Sequence, residues 1–121
     1  MITKLKYAFT HGSLSSAVHH AVLMKVSSIA LLVLIPFFVF TVGPMIGRPH
    51  GEVVAFFAKP FPAVVVVLTF IVGFKHFSDG VQVLLEDYVH GTARKISIFV
   101  MTALSYSVML IGLYAIGKIA L

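Results

Sequence analysis

The chain has 121 residues, 60% of them hydrophobic and only 11% charged, with nine Lys and Arg against four Asp and Glu. Soluble domains run at about 45–50% apolar and about 25% charged, so the composition excludes a soluble globular protein and implies a membrane protein whose apolar excess faces lipid or other helices. Cysteine is absent, which excludes disulfides, thiolate-held clusters and covalent haem attachment, and the formal charge of +5 suits topology control and anionic lipid before nucleic acid.

Residues 1–25 are polar and basic and contain neither a secretory cleavage pattern nor an arginine-rich transit sequence. They are expected to form a retained cytoplasmic tail, as in a bacterial inner-membrane protein. Gly12, Ser13, Ser15 and Ser16 suggest irregular structure there, followed by His19 and His20. The first span is expected over 26–46, an uncharged run that at about 1.5 Å per residue crosses a hydrocarbon core of about 30 Å. Pro36 lies inside it and is expected to bend it. The segment GPMIGRPHG, 43–51, ends that helix in a loop, and a short interfacial helix is expected over 52–59.

Pro60 and Pro62 suit the first turn of a second span. The apolar run 61–74 is too short to cross alone, so the helix is expected to continue over 60–89. That carries His76, Asp79, Glu86, Asp87 and Tyr88 into the bilayer or to its edge, where ionisable groups are costly and usually functional. His90, Gly91 and Thr92 read as a turn, with Arg94 and Lys95 anchoring a third span over 96–118. The expected fold class is an all-α membrane protein with three transmembrane helices in a single membrane-anchor domain. Three spans place the termini on opposite sides. With the amino terminus cytoplasmic, Lys4, Lys6, Lys25, Arg94 and Lys95 lie inside and Arg48, Lys59 and Lys118 outside, a weak positive-inside bias.

At about 100° per residue, Gly73, His76, Gly80 and Asp87 fall near one face of the second helix. The glycines remove bulk one turn to either side of the histidine, either for a broad, flat group or for close helix packing. Such a histidine suits an axial haem ligand, and equally an inter-helix hydrogen bond. Tyr88 lies about 18 Å further along the axis. The Glu86-Asp87-Tyr88 run reads either as a site or as a solvated helix end with an interfacial aromatic. Its acids oppose the helix dipole unless Arg94 and Lys95 offset them.

His76-x-x-x-Gly80, followed by Gln82 and by Glu86-Asp87-Tyr88-Val89-His90, resembles the small hydrophobic membrane-anchor subunit of succinate dehydrogenase, respiratory complex II, in its alphaproteobacterial and mitochondrial branch. The resemblance covers the whole topology, with a specific motif of about fifteen residues. It implies that His76 is an axial ligand to the iron of a b-type haem shared with a cytochrome b anchor subunit, which completes a haem-binding helix bundle. It implies that Tyr88 hydrogen-bonds a ubiquinone carbonyl and that Asp87 helps order the same site. His19 and Lys25 match a histidine and an arginine near the haem propionates. Lysine in place of arginine leaves a point charge where a bidentate grip would be.

Ser78 and Asp79 depart from the Arg-Leu common in relatives, and Asp79 has Lys75 one turn away as a possible partner. The implied partners are the cytochrome b, iron–sulfur and flavoprotein subunits. The chain has no flavin fingerprint and no cluster cysteines, so it is expected to shape a site without being a complete enzyme. Two other readings are a fumarate reductase anchor and a structural or transport subunit in which His76 and Asp79 form a proton path.

Overall fold

Backbone groups in lipid must find partners within their own segment, so long uncharged runs close as helices. The computed structural model describes residues 13–121 and contains four α-helices. Helix α1 spans Ser13–Val42 and carries Pro36 in its interior. It ends in a 3₁₀ turn at Gly43–Met45. Helix α2, His50–Phe57, is short, and α3 and α4 span Pro60–Tyr88 and Thr92–Ala120. Among the described residues there is no strand, and three helices are long and apolar enough to cross a membrane.

Helix α1 begins well before the uncharged run at 26. Leu14, Ala17, Ala21, Leu23 and Met24 are strong helix formers. Serines near a helix start cost little because first-turn amides lack partners anyway. His19, His20 and Lys25 therefore sit on the span helix itself. The part of the expected tail before Ser13, with Lys4 and Lys6, lies outside the described residues.

The expected interfacial helix over 52–59 starts two residues earlier, at His50 after Pro49. Glu52 lies in its first turn, the end of the dipole that favours an acid. Pro60 opens α3. At the other end Val89 is extended and Gly91 adopts φ 70°, a left-handed turn that glycine makes without steric cost and that reverses the chain into α4.

Helix α3 packs against both α1 and α4. Gly73 faces Leu31 and Gly80 faces Met24, so residue numbers rise along α3 as they fall along α1, and the pair is antiparallel. Against α4, the Phe70 ring lies directly over Gly112, where a Cβ would overlap it. That register sets Ser78 near the level of Ser105, both buried, as expected of small residues that let membrane helices approach closely.

The core sits at one end of the bundle. Phe57, Ala63, Val66 and Ile116 are buried together, with Phe38, Val42, Phe56 and Phe70 packed around them. These residues come from the end of α1, from α2, from the start of α3 and from the end of α4. Elsewhere large apolar side chains such as Leu32, Phe40, Phe99 and Ile111 are exposed, as lipid or a partner helix requires.

Candidate functional site

The polar groups of α3 gather in its second half, away from that core. His76 is half-buried against α1, and its Nδ1 lies 2.7 Å from the hydroxyl of Ser27. The same hydroxyl lies 3.0 Å from the carbonyl oxygen of Met24, one turn back on α1. Among the described residues, the other ring nitrogen of His76, Nε2, has no hydrogen-bond partner, and it is not buried. The imidazole is thus held through one nitrogen and offers the other.

Gly73 and Gly80 flank this contact and face α1 with His76 between them. An added Cβ would meet Leu31 at 3.9 Å and Met24 at 3.8 Å, which is ordinary van der Waals contact. Within the chain these glycines therefore serve helix packing without being demanded by it. The glycine that packing does demand is Gly112 on α4, beneath the Phe70 ring.

Asp79 is buried, and Lys75 donates to both of its oxygens at 2.6 and 2.7 Å. The lysine side chain remains 46% exposed while the aspartate side chain is 10% exposed, so the pair lies at the edge of the bundle. A buried carboxylate alone in lipid is costly, and the ion pair one turn away supplies the compensation. His76 and Asp79 hold different partners, and no hydrogen bond links the two side chains among the described residues.

The carboxyl end of α3 is more open. Asp87 is exposed, Tyr88 is 78% exposed, and neither side chain has a hydrogen-bond partner among the described residues. Gln82 donates to Glu86 at 3.0 Å. Arg94 reaches back across the turn: its Nε donates to the carbonyl of Val89 at 2.8 Å and its Nη2 to the carbonyl of Glu86 at 2.6 Å. The guanidinium thereby covers the last carbonyls of α3, where the dipole favours a cation, and offsets the acids at 86 and 87.

His19 and Lys25 are both exposed on α1. Lys25 lies about 200° around the helix from Ser27 and so points away from His76, whereas His19 lies about 80° around and about 12 Å along the axis toward Tyr88. The two are not brought together.

Ser27 and Arg94 are the site residues that sequence reading missed or undervalued. Ser27 is one hydroxyl in an apolar span, and nothing local predicts which helix it meets. Arg94 reads as an interfacial anchor, although a basic residue just past a turn glycine is also the signal for a helix C-cap.

The family described as "Succinate dehydrogenase/Fumarate reductase transmembrane subunit" matches residues 1–113. The chain is 35% identical over 120 residues to the "Succinate dehydrogenase hydrophobic membrane anchor subunit" of Paracoccus denitrificans, an alignment that covers 99% of this chain and 93% of the relative. No solved structure matches the chain.

Proposed function

The chain belongs to the succinate dehydrogenase/fumarate reductase family of transmembrane anchor subunits, and on that premise we propose that His76 ligates a b-type haem while Tyr88 and Asp87 border a ubiquinone-reduction site. As a multi-pass membrane anchor it works within a complex. The partners proposed are a cytochrome b anchor subunit that supplies the opposing histidine, an iron–sulfur subunit and a flavoprotein. The location proposed is a bacterial inner membrane with the amino terminus cytoplasmic.

The observation that carries the haem assignment is the state of His76. Its Nδ1 is engaged by Ser27 and its Nε2 is accessible and without a partner among the described residues, as an iron-ligating imidazole requires. Bound there, the haem would supply one-electron redox chemistry within the bilayer. Of the two propionate candidates on α1, His19 lies nearer the His76 side and Lys25 on the far side, so the geometry favours His19.

Tyr88 acts on the quinone. Its exposed hydroxyl donates a hydrogen bond to a quinone carbonyl, orienting it and stabilising negative charge as electrons arrive from the iron–sulfur subunit. Asp87 is the adjacent acceptor that orders the hydroxyl or a bridging water. Arg94 fixes the last turn of α3 on which both residues stand.

The experiment is purification of the chain with whatever accompanies it from the membrane. Co-purification with a flavoprotein and an iron–sulfur protein, and a low-spin b-type spectrum after dithionite reduction, are expected. A colourless assembly lacking those partners would sink the proposal.

A further inference from the structure

We propose that Ser27 is a positioning residue for the haem ligand: it fixes the tautomer and ring plane of His76 through a hydrogen-bond chain that ends on the α1 backbone. The inference rests on the reading of His76 as an iron ligand and adds to it a residue on a different helix.

Donors and acceptors around the ring decide the direction of each bond. A serine hydroxyl carries one hydrogen and two lone pairs, and a neutral imidazole carries one N–H. Ser27 Oγ lies 3.0 Å from Met24 O and 2.7 Å from His76 Nδ1. If the imidazole offers a lone pair to iron at Nε2, its hydrogen sits on Nδ1. Two groups then face each other at 2.7 Å, and Nδ1–H must donate to Ser27 Oγ. The serine hydrogen is left to the acceptor in reach, the Met24 carbonyl. Every hydrogen in the chain Nδ1–H, Oγ–H, C=O then has an acceptor.

The opposite tautomer, with Ser27 donating to Nδ1, puts the hydrogen on Nε2, where no acceptor is present among the described residues and where iron could not bind. An N–H group left unpaired in lipid is costly. Iron at Nε2 and the relay through Ser27 therefore select the same tautomer.

The contact also fixes the ring mechanically. Ser27 is half-buried, and α1 packs against α3 with Gly73 facing Leu31 and Gly80 facing Met24 on either side of it. The imidazole cannot rotate about its Cβ–Cγ bond without breaking a hydrogen bond in an apolar setting. An outer partner of this kind raises the basicity of a ligating histidine and commonly contributes about 10–100-fold to metal affinity.

The test compares Ser27→Thr with Ser27→Val in the assembled complex. The two replacements have nearly the same shape and differ in a hydroxyl for a methyl, and a threonine hydroxyl in a helix also bonds back to a carbonyl one turn earlier. With Ser27→Thr, haem retention, the haem midpoint potential and the low-spin ferric electron paramagnetic resonance signal should match the parent. With Ser27→Val, haem should dissociate about 10-fold more readily, the potential should rise as the ring loses electron density, and the ferric signal should shift. None of these readouts is an activity.

Identical behaviour of the two variants overturns the proposal. Should the valine complex fail to assemble, Ser27→Ala, which removes the hydroxyl without adding bulk, is compared with threonine by the same criteria. His76→Ala separates the two levels. If it removes haem while Ser27→Val and Ser27→Ala change nothing, only the role of Ser27 falls. If it leaves haem in place, the ligand assignment falls first.

Discussion

The two ends of this helix bundle solve different problems. At one end Phe57, Ala63, Val66 and Ile116 close a small apolar core, with residues from all four helices in or around it. At the other, polar side chains are settled in pairs, Ser27 with His76, Lys75 with Asp79 and Gln82 with Glu86, or left open, as are Asp87 and Tyr88. The apolar end draws its core and the residues packed around it from all four helices of the chain. The polar end pairs its buried carboxylate and leaves Asp87 and Tyr88 exposed.

That contrast can be broken from either end. On the proposed role of Tyr88, Tyr88→Phe should have the largest effect, because it would delete a donor to the developing charge, a loss of about 100-fold in such sites. Quinone reduction should fall while succinate oxidation with an artificial acceptor is largely kept. Equal loss of both activities would point to an assembly defect and move Tyr88 out of the site.

Next comes the ion pair. Lys75→Ala strands the buried carboxylate of Asp79, at a cost on the order of 3 kcal/mol. Lys75→Ala with Asp79→Ala should recover most of the lost thermal stability of the complex, since removing both charges leaves nothing unpaired. A double variant no more stable than the single one would show that the pair does not act as a unit.

The glycines sharpen the comparison further. Gly112→Ala drives a methyl into the Phe70 ring and should cost about 1–3 kcal/mol, as overpacking does. Arg94→Ala should cost about 1 kcal/mol, by uncovering the last carbonyls of α3, and should loosen the turn beneath Tyr88. The readout is faster amide exchange at residues 86–91. Gly80→Ala meets Met24 at ordinary contact distance and should leave stability within about 0.5 kcal/mol. If Gly80→Ala nonetheless lowers haem content, that glycine clears space for a group outside the chain.

Much of the fold was legible in the sequence, because lipid leaves a long uncharged run little choice but a helix. Pro60 and Gly91 also mark the limits of α3 and the turn after it in chemical terms. The start of α1 was less legible, since serines that suggest a loop are also welcome in a first helical turn. Within the site, the 100° periodicity grouped Gly73, His76, Gly80 and Asp87, of which the first three face α1 while Asp87 is exposed at the helix end. The Lys75–Asp79 pair follows from spacing along one helix. What periodicity could not supply was the register between helices. It therefore gave no sign that Ser27 meets His76 or that Phe70 covers Gly112.

That the polar end holds haem through His76 is tested most directly by the haem-to-flavin ratio of the purified complex, with its dithionite-reduced spectrum, in the parent and in His76→Ala. The variant complex is expected to assemble, to oxidise succinate with an artificial acceptor and to lose the b-type haem or its bis-histidine spectrum. An unchanged ratio and spectrum in His76→Ala would contradict the assignment.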